Sequence, residues 1–236
     1  YGKAGGWEPN GYDDRHTSIE GFGQFHEFQI GGVVLMPANG QLKTVPGSLD
    51  HPDEGYRSRF EKKDEVSEPG YYSVFLKDYG IKAELTATER VGFHRFTFPA
   101  SDSARLILDI GHKQGESGEV KEASARWDGK NEVTGWVVTY PGYAAFCDSG
   151  NFVKMYFAGR FSKKPDGSGV FTNENPEPDL KETTGINNGM YFTFSTREGE
   201  KLEIKIGLSY TSIENARLNL DTESAGLSFD EVRLLA

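Results

Sequence analysis

The chain has 236 residues, with 26 Lys and Arg against 36 Asp and Glu, a formal net charge of −10. That balance argues against a nucleic-acid partner, whose binders carry a basic face, and is compatible with a neutral ligand such as a sugar. No apolar run approaches the ~20 residues needed to cross a bilayer as a helix, and a single cysteine, Cys147, excludes an intrachain disulfide.

Sixteen Phe, 11 Tyr and 3 Trp beside 29 Gly fit many strands joined by many turns. The length suits one all-β domain that can bury a core without staples. No signal peptide is visible, but the chain begins at Tyr1 rather than Met, so a leader removed before it is compatible with the sequence.

Residues 1–17 are Gly-rich, polar and turn-like. A strand or loop is expected from Phe22 to Phe28 and a buried strand over 32–36, closed by Pro37 and the turn Ala38-Asn39-Gly40. Residues 46–69, rich in Gly, Pro and charge, read as an irregular surface loop carrying His51, Asp53, Glu54, Arg57, Arg59, Glu61 and Glu65. After Pro69-Gly70 comes the stretch around which the rest is organised. It has an apolar-aromatic run from Tyr71 to Leu76, a turn at Asp78-Tyr79-Gly80, and strict alternation of Ile81, Ala83, Leu85 and Ala87 with polar residues. A third strand runs from Phe93 to Phe98. This is a three-stranded antiparallel meander with one wet face.

Further strands are expected at 106–110, 118–127, 133–140, 152–161, 190–196 and 202–210. The segment 163–189 is so polar and so rich in Gly and Pro that it is expected not to pack, which makes it a functional or mobile loop. Near the end, Thr211 with Glu214 and Ser228 with Glu231 each fit a capping box and predict two short helices. The second helix has neither a C′ glycine nor a following proline. That pattern leads us to expect a longer parent continuing past Ala236, with further helical structure.

Candidate chemistry is sparse. Thirty-six acidic residues make carboxylate pairs unavoidable, and most such groups are solvated. Glu68 stands out, beside Pro69-Gly70 and the pair Tyr71-Tyr72. The five histidines show no metal-ligand spacing, and no nucleophile elbow, phosphate loop or dinucleotide fingerprint occurs. His26 and Glu27 lie among Phe22, Phe25 and Phe28. Rings that stack on the C–H face of a sugar, beside polar heads that bind its hydroxyls, would make a site of this kind. A hydrogen-bonded strand histidine is the competing reading of His26, and for His94 a core or sheet-surface reading is the stronger one. Trp7, Trp127 and Trp136 could each stack on a sugar, although tryptophans in strand-rich chains are more often core. Cys147 reads as a buried small residue.

Three blocks of this sequence resemble the N-terminal β-domain of glycoside hydrolase family 92, the calcium-dependent exo-acting α-mannosidases. They are GYDD with EGF at 20–22 and VVLMPANG at 33–40; EPGYYSVFL with IKAELTATERVGFHRFTFP and ILDIG; and IKIGLSYTSIENARLNLDTESAGLSFDEV. The middle, 113–189, matches only in strand rhythm. Two departures are visible. Gly23-Gln24-Phe25-His26 stands where the family continues Ser-His-Thr-His, and Phe60-Glu61-Lys62 stands where Phe-Ser-His is common. If those positions face the sugar, linkage or aglycone preference differs from that of better-known members.

The resemblance implies an antiparallel β-supersandwich, galactose mutarotase-like, with one or two short C-terminal helices. It implies a single domain over 1–236, packed on an (α/α)6 barrel outside this chain. That barrel would hold the catalytic acid, the base and the calcium ligands, so no catalytic or metal-ligating residue is expected here. The reaction implied is hydrolysis of α-mannosidic linkages with inversion, and the location periplasmic or extracellular. The residues expected to form one wall of the mannose site are Phe22, His26, Glu27, Arg59 and Glu68. The expected partners are a mannose-containing glycan and the chain's own catalytic domain. The rival reading is a free-standing carbohydrate-binding β-sandwich, and a third is a domain that only stabilises the barrel.

Overall fold

The computed structural model of the chain describes residues 16–24, 32–113, 118–140 and 152–236. Trp7, His26, Glu27, Cys147 and the part of the expected Phe22–Phe28 element beyond Gln24 lie outside the described residues.

The first strands are short, β1 (Ser18–Ile19) and β2 (Phe22–Gly23). The expected buried run is β3 (Val34–Asn39), in the core from Val34 to Ala38. The segment 46–69 corrects the surface-loop reading. It holds β4 (Ser58–Arg59), β5 (Val66–Glu68) and two 3₁₀ turns, and it buries Tyr56, Arg57 and Phe60. Burial there is possible because the polar tips find partners: the Tyr56 hydroxyl donates to Asp109 at 2.7 Å and Arg57 donates to Glu20 at 2.6 Å.

The meander follows as β6 (Tyr71–Leu76), β7 (Ile81–Ala87) and β8 (Val91–Phe98), then β9 (Ser101–Asp109), β10 (Val120–Trp127), β11 (Glu132–Thr139) and β12 (Val153–Phe161). The expectation that 163–189 does not pack is also corrected, by β13 (Gly167–Thr172), β14 (Asn175–Pro178) and β15 (Glu182–Gly185). The exposed β14 joins its sheet by backbone pairing with β13, which polar side chains do not oppose. The last strands are β16 (Asn188–Thr196) and β17 (Glu200–Ser209).

Two antiparallel sheets stack. The larger runs β15-β10-β11-β12-β17-β8-β7-β6-β5 and the smaller β14-β13-β16-β9-β3-β2, while β1 and β4 form a separate ribbon. The core lies between them and includes Ala83, Phe96, Val137, Phe157 and Ile204 of the larger sheet with Leu35, Leu106, Leu108 and Phe194 of the smaller. Phe192 of β16 bridges the layers, with ring centroids 4.7 Å from Phe161 and 5.1 Å from Trp127. Trp127 is therefore core. This is the expected all-β supersandwich.

The other face of the large sheet carries two helices, α1 (Ile213–Glu223) and α2 (Phe229–Leu235). Their apolar residues Ala216, Leu220, Phe229 and Val232 cover Tyr71, Val91, Phe93 and Ala158. Gly207 makes the approach of α1 possible, since a Cβ there would lie 2.4 Å from the Ala216 carbonyl oxygen. The cap of α1 differs by one residue from the expected one: Ser212, not Thr211, accepts from the Asn215 amide. The Thr211 hydroxyl accepts from the Asn215 side chain instead. The Ser228–Glu231 box forms as expected. Among the described residues no helix is long and apolar enough to cross a membrane.

The α2 helix is also held by charge. Arg95 of β8, buried, donates to both oxygens of Glu84 at 3.0 and 3.1 Å and to Asp230 at 2.9 Å, with its guanidinium 4.1 Å from the Phe229 ring centroid. Burial pushes the Glu84 carboxyl up, but bonds from Arg95 and Tyr71 and the charges of Arg95 and Lys82 outweigh it and hold the group at about 2. Replacing Glu84 by Ala removes two of the hydrogen bonds of a buried cation and leaves it only Asp230 as a carboxylate partner, and we expect a loss of about 3 kcal/mol in denaturant unfolding. In the wild type this contribution is full above the ordinary carboxyl value of 4.5 and is lost as pH falls toward 2. A titration of unfolding free energy from pH 6 to pH 2 in both proteins checks the sign.

Candidate functional site

The ends of β5, β6, β7 and β8 frame a groove of about 980 Å³, floored and walled by Gln24, Glu68, Tyr72, Leu85, His94 and Leu208. Register explains the gathering. Tyr72 lies opposite Leu85, and Leu85 opposite His94, so one row of side chains crosses three strands on the same face. Strand β2 brings Gln24 over the end of that row, because Phe22 pairs with Leu35 and seats its ring 6.1 Å from Phe96.

Gln24 and His94 form the polar centre. The Gln24 amide meets His94 Nε2 with its nitrogen at 2.9 Å and its oxygen at 3.1 Å, and its nitrogen also donates to the Phe22 carbonyl at 3.3 Å. Gly92 leaves the room for this contact: a Cβ there would stand 2.5 Å from the Gln24 side-chain oxygen and 3.2 Å from His94 Nε2. Burial pushes the His94 imidazole down to about 3, so it is neutral at physiological pH and offers hydrogen bonds rather than charge.

The rim is charged and internally paired. Arg233 of α2 donates to Glu68 at 2.9 Å, and its guanidinium carbon stands 3.5 Å from the Tyr71 ring centroid. Across the groove Glu223 of α1 accepts from the Thr88 hydroxyl at 2.6 Å and from the Arg90 backbone at 2.9 Å and side chain at 2.6 Å. Burial opposes ionisation of Glu223, but these bonds win and hold its carboxyl below the usual range. Tyr72 donates to Glu65 at 2.6 Å, which fixes its ring against the groove wall. The arrangement suits a neutral polyhydroxylated ligand, with Tyr72, Leu85 and Leu208 offering apolar surface and Gln24, backed by the buried His94, and Glu68 offering polar atoms.

Of the residues singled out in the sequence, Glu68 lines this groove and Phe22 lies buried beneath it in the core. Arg59 is elsewhere. Its backbone and side chain donate to Asp78 at 2.7 to 3.2 Å, and Asp53 stands 3.1 Å away, at the turn of the β6–β7 hairpin, while the groove lies at the hairpin's open end. His26 and Glu27 lie outside the described residues. Gln24 and Tyr72 were not singled out as binding residues. The signal that could have found Gln24 was its place in the departure after Gly21-Phe22.

The buried, uncharged His94 has a consequence for pH. The unfolded chain takes a proton at the ordinary value of 6.5, whereas the folded chain resists until about 3. Stability should therefore decline as pH is lowered from 6.5 toward 3, and His94→Gln should flatten that part of the profile, measured by thermal unfolding across pH 4 to 8.

Comparison with known proteins bears on this geometry. The family model described as glycosyl hydrolase family 92 N-terminal domain matches residues 3–209. Among solved structures, the family GH92 alpha-mannosidase BT3965 from Bacteroides thetaiotaomicron superposes with a TM-score of 0.86 at 31% identity over 95% of this chain and 30% of that one. Its complex with mannoimidazole gives 0.85 with the same identity and coverage. The GH92 inverting mannosidase BT2199 from Bacteroides thetaiotaomicron VPI-5482, at 22% identity, TM-score 0.75 and coverage of 95% of this chain and 28% of that one, shares the fold. The chain thus spans about 30% of the length of these structures. No curated protein sequence matches. With the family model matched over most of its length, this chain belongs to the N-terminal domain family of the glycosyl hydrolase family 92 enzymes.

Proposed function

We propose that the chain is the N-terminal half-site domain of an exo-acting α-mannosidase that cleaves α-mannosidic linkages with inversion. The groove centred on Gln24 and His94 lends one wall of the mannose site, and the chain packs on a separate catalytic barrel. The observation that carries this reading is the juxtaposition of a neutral Gln24–His94 pair with the Tyr72, Leu85 and Leu208 surface inside one groove. In inverting hydrolysis one carboxylic acid protonates the leaving oxygen while a second carboxylate activates water. Glu84 and Glu223 do not suit the acid's role, because Arg95 with Tyr71 holds the first in the ionised form and Thr88 with Arg90 favours it in the second. The acid and base belong to the barrel. The role of this chain is to bind and orient the sugar.

The resemblance implies calcium with its ligands outside this chain. Among the described residues no three His, Cys, Asp or Glu side chains converge. Glu68, Glu84 and Glu223 at and behind the groove are each engaged by an arginine, whereas calcium takes six to eight oxygens. Its ligands belong with the barrel. The same reading puts the enzyme in the periplasm or outside the cell.

Mannose release from α-linked mannobioses tests this proposal, with the 236-residue chain run beside a protein extended past Ala236. Activity is expected in the extended protein alone and should vanish with a chelator that leaves the circular dichroism of the short chain unchanged. Activity in the short chain would overturn the division of labour. Gln24→Ala in the extended protein should raise KM about tenfold, the cost of roughly one hydrogen bond to a sugar hydroxyl. An unchanged KM would remove Gln24 from the site.

A further inference from the structure

The half of the large sheet away from the groove carries a second arrangement suited to a sugar. Register places Thr184 of β15 opposite Ser124 of β10, Ser124 opposite Trp136 of β11, Trp136 opposite Tyr156 of β12, and Tyr156 opposite Ser209 of β17. The neighbouring positions Ala123, Ala125, Val137, Met155 and Phe157 are buried, so the row lies on the helix-bearing face of the sheet, with Thr184 exposed and the other four half-buried, Tyr156 packing one side against the α1 cluster. Five strands at a spacing of about 4.8 Å make a row roughly 19 Å long that follows the twist of the sheet.

Its composition is ordered. Two aromatic rings stand in the middle, with a hydroxyl pair at each end: Thr184 Oγ1 donates to Ser124 Oγ at 2.9 Å, and Ser209 Oγ lies 2.9 Å from Thr211 Oγ1. No member of the row is ionised. Exposed Lys154 lays its ammonium 3.9 Å from the Trp136 ring centroid and 5.3 Å from that of Tyr156. A positive group therefore already occupies the ring faces from the solvent side. The polarised C–H face of a pyranose can take the same place, with the flexible lysine swinging aside.

We propose that this row is a second glycan-binding surface, which holds a neutral polysaccharide chain lying across the strands. Stacking on Trp136 and Tyr156 supplies the apolar contact, and the hydroxyl pairs at either end take hydrogen bonds from the sugar. The net charge of −10 selects against an acidic polymer or nucleic acid. Such a surface would hold a long substrate on the enzyme while its end is processed. The choice of mannan as ligand rests on the mannosidase reading above, whereas the surface does not.

The test is affinity electrophoresis of the 236-residue chain, and of the protein extended past Ala236, in gels containing soluble α-mannan or, separately, dextran. Retardation by mannan is expected. Trp136→Ala and Thr184→Arg, the second leaving the sheet's packing untouched, should each weaken it about tenfold or more, as for a stacked anchor residue. In the extended protein both variants should leave kcat/KM on mannobiose unchanged and lower it on mannan. Retardation by dextran alone would support the surface and count against the mannosidase reading. Mobility of both variants equal to that of the wild type would overturn the proposal. So would Trp136 fluorescence shielded from acrylamide in the extended protein, since the rest of the polypeptide would then cover this face.

Discussion

Arg95 is the constraint on which the helical side of the molecule depends. A guanidinium keeps its proton at any ordinary pH, so its burial in β8 demands partners. They come from two elements: Glu84 from β7, and from α2 both Asp230 and the Phe229 ring that caps the charge. Satisfying Arg95 therefore fixes where α2 lies on the sheet. With α2 placed, Arg233 comes over Tyr71 and reaches Glu68. One buried charge sets the rim of the groove on one side. On the other side, Glu223 at the end of α1 joins the β7–β8 turn.

The groove itself is a product of strand ends rather than of any special loop. At the open end of the β6–β7 hairpin the cross-strand row Tyr72, Leu85 and His94 is left with Gln24 beside it. His94 is half satisfied at the margin of the core: Nε2 meets Gln24, while Nδ1 is buried with no partner among the described residues. Its neutrality and its bond to Gln24 make it tolerable there, and the same bond fixes two polar side chains in the orientation a bound hydroxyl would meet.

Much of this was legible in the residues. Alternation from Ile81 to Ala87, broken by Gly80 before and Val91-Gly92 after, names the central hairpins, because a strand half in water must alternate. The Ser228–Glu231 box marks a helix start since its bonds are made within four residues. Composition misled where pairing is carried by the backbone. Asn175–Pro178 is exposed throughout and still a strand, because β13 supplies its hydrogen bonds. Tyr56 and Arg57 read as loop residues and are buried, since Asp109 and Glu20, distant in sequence, complete their polar tips.

Sequence alone determined the class of the chain: local periodicity and turn chemistry act over a few residues, and three motif blocks sufficed to identify the family. The tertiary structure decided which residues share a surface. Arg59 and Glu68 are nine positions apart but sit at opposite ends of one hairpin, whereas Gln24 and His94, 70 positions apart, touch. Spacing along a chain measures contour, and a site is defined by distance in space. Only the register of strands and the burial of charges such as Arg95 convert one into the other.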